Sequence, residues 1–204
     1  MGDSKSCFGV FGVCGQRLCV LKSFLDKYTP DRSPLSWEAP CSGCLKINCD
    51  GAFFPDMALG AAAFIVRDSC GSLVDGNAVS FPCPTPQFAE ARAVSLAVEW
   101  VSLHGDSNCI IETNCQRFFL EIVDLNISPR CLGASLVFDI RSKVKSLLGV
   151  VFHFVGRQGN HTAHWFASAQ KSAALSAVWK SYIPLALAAI LSGDLDPLGI
   201  GWCF

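Results

Sequence analysis

The order of two kinds of hydrophobic pattern constrains the fold of this chain more than any other feature. The first half shows short apolar or alternating runs bounded by turn residues, and then one long helical stripe closed by Gly105. Alternation with a period of two is typical of strands, and recurrence at three and four residues is typical of helices. The predicted strands are residues 45–50, 60–66 and 72–81, and the predicted helix is 87–104.

The second half alternates strand-like and helix-like segments. Strands are predicted over residues 108–113 and 149–155, and helices over 115–125, 132–148 and 160–179. Leading strands followed by alternating helices and strands favour an α/β fold, in which helices cover a mixed sheet. Its parallel members must be joined by right-handed crossovers.

Composition limits the classes of protein that remain. Hydrophobic residues make up 51% of the chain and charged residues 16%, which excludes wholesale disorder. The apolar run 183–191 is too short to cross a bilayer, which takes about 20 residues, so we expect no transmembrane segment. The net charge of −1 gives no support to binding of nucleic acid through phosphates, because each neutralised phosphate needs a Lys or Arg.

The organisation predicts three parts: a poorly ordered leader at 1–36, a domain at 43–175 and a C-terminal extension at 176–204. The leader begins with a loose N-myristoylation pattern at Gly2, beside Cys7. Cys41 and Cys44 have ligand-like spacing, but no second close pair completes a four-ligand zinc site. No signal peptide is evident, so we expect an intracellular protein, nuclear or cytoplasmic, with reduced thiols.

Five short motifs follow one another along the chain: LKINCDGA at 45–52, Gly60 with the turn 67–71, FAEARA at 88–93, IIETNC at 110–115 and RQGNHTAHWFA at 157–167. In this order they resemble ribonuclease H type 1-like domains, most closely the plant, retroelement-related group. The resemblance implies a ribonuclease H-like mixed five-stranded sheet, with antiparallel hairpin strands and parallel strands, flanked by helices.

The resemblance also implies a site for two Mg²⁺ or Mn²⁺ ions held by four carboxylates, which cleaves the RNA of an RNA–DNA hybrid. Hard divalent cations prefer oxygen ligands, and two neighbouring ions need several negative charges. Asp50 and Glu90 match the first two positions and are the predicted metal ligands. Asn114 and His164 stand at the third and fourth, so the formal charge falls from −4 to −2.

Simpler interpretations exist for each of these residues. Asp50 begins an Asp-Gly turn signal, Glu90 suits a helix N-terminus, and Asn114 suits a helix N-cap. Glu112 shares a strand face with Asn114, but it lies about 6–7 Å away along the strand. It is therefore too distant to replace the missing ligand.

The functional hypothesis is a ribonuclease H-like nucleic-acid-binding domain, with an RNA–DNA hybrid as its partner, whose hydrolytic activity is weak or lost. Arg157 and Asn160 precede the last helix, where they can meet a phosphate. One alternative is an active hybrid ribonuclease that uses Mn²⁺ or Mg²⁺. Another is a non-enzymatic interaction protein whose N-terminal cysteines are lipidated or bind zinc. The sequence does not define an oligomeric state.

Overall fold

The structure is a computed structural model that describes residues 36–105, 108–129, 132–147, 149–172, 179–180 and 182–195. Apart from Ser36, the predicted leader lies outside these residues, as does part of the C-terminal extension. Within them no helix is both long and apolar enough to cross a membrane.

Five strands form one sheet, in the spatial order β3-β2-β1-β4-β5. The strands are β1 (Leu45–Phe54), β2 (Leu59–Arg67), β3 (Leu73–Pro82), β4 (Cys109–Thr113) and β5 (Val150–Phe154). The pairs β1–β2 and β2–β3 are antiparallel, whereas β1–β4 and β4–β5 are parallel. The predicted mixed five-stranded sheet is confirmed.

Helices link the parallel strands and cover both faces of the sheet. They are α1 (Pro86–His104), α2 (Gln116–Val123), α3 (Ala134–Val144), α4 (His161–Ala169) and α5 (Leu185–Leu195). The hydroxyl of Thr85 accepts from the Phe88 amide and caps α1, which ends at Gly105 with a φ of 67°. The helix predicted over 160–179 is shorter: after Ala169 comes a 3-10 turn, Gln170–Ser172, and residues 173–178 lie outside the description.

The alternation of β2 divides the core into two layers, because successive side chains of a strand point to opposite faces. Ala62, Phe64 and Val66 pack with α1, α2 and α3 on one face. Ala63 and Ile65 pack on the other face with Phe166 of α4 and Leu187 of α5. Helix α5 lies in the predicted C-terminal extension, and it contributes to the second layer of the core.

Candidate active site

Asp50 and Glu90 lie next to each other because β1 and α1 are in close contact. Glu90 Oε2 accepts a hydrogen bond from the Gly51 amide at 3.3 Å. A Cβ atom at Gly51 would stand 2.3 Å from the carbonyl carbon of Ala89, so only glycine permits this approach. The two carboxylates predicted from sequence to converge are therefore brought together by a glycine between strand and helix.

His164 and Arg157 occupy the side of Asp50 that faces α4. His164 Nδ1 lies 2.7 Å from Asp50 Oδ2, and Arg157 Nη2 lies 3.2 Å from His164 Nε2. A guanidinium can only donate, so Nε2 accepts from Arg157 and the imidazole proton on Nδ1 is donated to Asp50. Asp50 is thus hydrogen-bonded to an imidazole that is itself bound to a cation.

Asn114 is held in place by Asn160 from the 3-10 turn before α4. The Asn160 amide nitrogen donates to Asn114 Oδ1 at 3.2 Å and to the Cys49 carbonyl at 3.0 Å. Helix α2 has Cys115 as its N-cap, so Asn114 does not cap it, contrary to the simpler interpretation. Asn160 is fully buried and its amide faces the interior, so the contact expected between this residue and a phosphate is not available in this structure.

Glu112 belongs to a buried polar network that also reaches Asn160, because Asn48 Nδ2 donates to Asn160 Oδ1 at 3.2 Å. It forms an ion pair with Lys46 at 2.8 Å and accepts from Asn48 Nδ2 at 2.9 Å. These partners occupy both of its carboxylate oxygens, which agrees with the expectation that it does not replace the missing ligand.

Arg67 lies at the centre of that network with 0% of its side chain exposed. It donates to Asn48 Oδ1 at 2.9 Å and to Asp194 Oδ2 at 2.6 Å, and its guanidinium carbon lies 3.7 Å from the centroid of the Trp37 ring. Thr162 also donates to Asp194, at 2.6 Å. This network was not predicted from the sequence. The sequence signal for it is Arg67 itself, a cation that directly follows the apolar run GAAAFIV.

Burial controls the ionisation of the two carboxyl groups. It raises the pKa of Glu90 to about 8, with the negative charge of Asp50 adding to the effect. Burial also raises the pKa of Asp50, which the hydrogen bond from His164 and the charge of Arg157 oppose. At neutral pH the site therefore carries less negative charge than its two carboxyl groups suggest.

These donors do not fit a pair of divalent cations. Asp50 and Glu90 can each offer carboxylate oxygens, but one Asp50 oxygen accepts from His164, and the Asn114 oxygen accepts from Asn160. Among the described residues, no group of three or more His, Cys, Asp or Glu side chains can hold a metal ion. Two cations require more anionic ligands than this arrangement supplies.

Solved structures of ribonucleases H are similar in fold to this chain. The N-terminal RNase H domain of a Mycobacterium tuberculosis protein, solved as a maltose-binding-protein fusion, is 13% identical, with a TM-score of 0.55 over 63% of this chain and 98% of that chain. The RNase H1 named LC11, isolated from compost, is 16% identical, with a TM-score of 0.59 over 66% and 99%. RNase H1 of Halobacterium salinarum is 17% identical, with a TM-score of 0.52 over 63% and 97%.

The chain therefore has the ribonuclease H fold. Its sequence matches the model of the reverse transcriptase-like family over residues 48–170, and because that span exceeds half of the chain, the protein belongs to this family. No curated protein matches the sequence significantly. The closer assignment to the plant, retroelement-related group stays a prediction.

Proposed function

We propose that this domain binds nucleic acid, with an RNA–DNA hybrid as its ligand, and that two-metal hydrolysis is weak or lost. The observation that carries the proposal is the 2.7 Å contact between His164 Nδ1 and Asp50 Oδ2, with Arg157 bound behind it. The imidazole N–H, on a ring whose other nitrogen is bound by the Arg157 guanidinium, occupies one oxygen of the carboxylate that a divalent cation would need.

Charge supports the loss of hydrolysis. Asp50 and Glu90 are the remaining acids of the four positions, and the Glu90 pKa of about 8 keeps that group largely protonated at neutral pH. Two adjacent divalent cations, whose binding would have to displace that proton, would face at most two negative charges at these four positions. Coulomb repulsion between the ions would be left largely uncompensated.

Retention of nucleic-acid binding is supported by the surface near α4. Arg157 is exposed and His164 half-buried, and both lie beside the N-terminus of α4, where backbone amides favour anions. The LC11 RNase H1 was also solved in complex with an RNA/DNA hybrid; that structure is 17% identical, with a TM-score of 0.56 over 65% of this chain and 99% of that chain. In this proposal Arg157 contacts a phosphate, and Asn160 is a positioning residue that holds Asn114.

Binding is tested by the fluorescence anisotropy of a labelled RNA–DNA hybrid over a range of salt concentrations. Arg157→Ala should weaken binding and lower the slope of log affinity against log salt by about one. Arg92→Ala is the matched control, because Arg92 lies on α1 and is paired with Glu99 at 2.9 Å. If the two substitutions weaken binding equally, Arg157 does not contact the hybrid.

Hydrolysis is tested with the same hybrid in Mg²⁺ and in Mn²⁺. We expect little or no cleavage by the natural chain, and cleavage by the double variant Asn114→Asp with His164→Asp, which restores the carboxylates. Cleavage by the natural chain that is abolished by Asp50→Asn would refute the proposal. It would establish the alternative, an active ribonuclease, which the convergence of Asp50 and Glu90 favours.

The interaction-protein alternative depends on Gly2 and Cys7, which lie outside the described residues, and on zinc at the N-terminal cysteines. Mass spectrometry of the native protein tests it. An unmodified N-terminus and no bound zinc would exclude this alternative.

A further inference from the structure

Two thiols lie side by side in the turn that precedes β1. Cys41 is exposed and Cys44 half-buried, and their sulfur atoms are 2.7 Å apart. The amide of Cys44 donates to the Cys41 carbonyl at 3.0 Å, which closes the turn. Gly43 adopts a φ of 78°, a conformation that glycine accepts without strain. The backbone itself thus brings the sulfur atoms together.

The segments on both sides of this turn are fixed to the domain. Before it, the Trp37 ring stacks on Arg67, and the Glu38 carbonyl accepts from Lys46 Nζ at 2.7 Å. After it, the Leu45 amide donates to the Asn108 carbonyl at 2.8 Å. Fixed flanks limit how far the two thiols can separate, so a reaction between them is strongly favoured by proximity.

The distance between the sulfur atoms distinguishes a metal site from a disulfide. Two cysteines on a tetrahedral zinc ion, with Zn–S bonds of about 2.3 Å, hold their sulfur atoms about 3.8 Å apart. A disulfide bond is about 2.05 Å long. The observed 2.7 Å is nearer to the second value. The described residues also supply no cluster of three or more ligating side chains for a metal ion.

We propose that Cys41 and Cys44 form a thiol–disulfide exchange site, which small-molecule disulfides such as glutathione disulfide convert reversibly into an intramolecular disulfide. The Cys41 thiol, the more exposed one, loses its proton and attacks the glutathione disulfide, releasing one glutathione thiol and leaving a mixed disulfide. The Cys44 thiol then loses its proton and attacks Cys41 Sγ, which releases the second glutathione thiol. The protein loses two protons and two electrons, and glutathione disulfide gains them as it becomes two glutathione thiols.

The experiment uses the full chain in buffers of increasing glutathione disulfide to glutathione ratio, followed by acid quenching, alkylation and tryptic mapping. Cleavage after Arg32 and Lys46 gives a peptide, residues 33–46, whose only cysteines are Cys41 and Cys44. We expect this peptide to become about 2 Da lighter and to take up no alkyl group. Dithiothreitol should reverse both changes.

Two single variants make the result specific. Cys41→Ser should abolish the mass change, since Cys44 can then form only a mixed disulfide. Cys70→Ser, which removes an exposed cysteine from the turn between β2 and β3, should leave it unchanged.

Three results would overturn the proposal. In the first, Cys70 already carries glutathione at a given glutathione ratio, while both cysteines of the 33–46 peptide are still reduced and are therefore alkylated. In the second, this peptide accumulates with glutathione attached and never closes. In the third, the purified chain retains zinc in a 1:1 ratio and loses it in Cys44→Ser. The inference does not depend on the proposed function, since no nucleic acid or activity enters the measurement.

Discussion

Replacing Asp194 by alanine tests whether α5 is an energetic part of the domain. The carboxylate of Asp194 pairs with Arg67, whose side chain is fully buried, and 10% of the Asp194 side chain is exposed. In Asp194→Ala the Arg67 guanidinium would still contact Asn48 and the Trp37 ring. Its positive charge, however, would no longer have the carboxylate of Asp194 as a partner. Among the described residues, Arg67 Nε already has no hydrogen-bond partner.

The expected loss is large for a single substitution. Removing one partner of a buried ion pair costs about 3–5 kcal/mol of unfolding free energy, because a desolvated charge remains. Burial lowers the pKa of Arg67, and Asp194 opposes that shift, which agrees with a costly unpaired cation. For a domain of this size, about 2–4 °C per kcal/mol gives a decrease in Tm of roughly 6–20 °C.

Thermal unfolding and urea titration of the natural chain, Asp194→Ala and Asp139→Ala measure this loss. Asp139 is the control because it forms an exposed pair with Lys143 at 2.8 Å within α3, with 48% of its side chain exposed. Such pairs contribute about 0.3–0.5 kcal/mol. An equally small loss for Asp194→Ala would refute the reasoning, since a buried charge cannot lose its partner at that cost.

Three further results follow from the site. The raised Glu90 pKa means that the folded state keeps a proton that the unfolded state releases, so this contribution to stability is complete below pH 4.5 and is lost as pH rises to about 8. Relative to Glu90→Gln, the natural chain should lose up to about 5 kcal/mol of unfolding free energy over that pH range, at about 1.4 kcal/mol per pH unit. Urea midpoints of the two proteins that change in parallel from pH 5 to 8 would contradict this. Gly51→Ala should destabilise the domain by about 1–3 kcal/mol because its Cβ overlaps Ala89, whereas Gly193→Ala, which meets no atom within 4 Å, should not lower Tm. Millimolar Mg²⁺ should raise the Tm of the double aspartate variant and leave that of the natural chain unchanged; equal shifts would show that the natural site binds the ion.

The sequence was informative wherever a local pattern determines structure. Strand and helix periods predicted the order of the elements, and Gly105 marked the end of α1 because a helix often ends on a residue with positive φ. These features depend on near neighbours in the chain. The convergence of Asp50 at a strand with Glu90 in the first turns of a helix was implied by the resemblance to ribonuclease H domains and not by a local pattern.

Contacts between distant residues could not be predicted in the same way. His164 and Asp50 are separated by 114 positions, and Arg67 and Asp194 by 127. Which atom of an imidazole or amide meets which partner depends on tertiary packing. The burial of Asn160 was not predicted for this reason: in sequence it belongs to a polar stretch, GRQGN, yet the fold places its amide between β1 and Asn114.

The pairing of Arg67 with Asp194 also bears on the C-terminal boundary of the folded domain. The family match stops at residue 170, but the carboxylate that neutralises the interior of β2 lies on α5, more than twenty positions later. A recombinant fragment cut at the homology boundary would expose the core residues that pack with Leu187 and would leave the Arg67 cation without its carboxylate partner. Expression fragments intended for crystallisation or nuclease assays should therefore extend through residue 195.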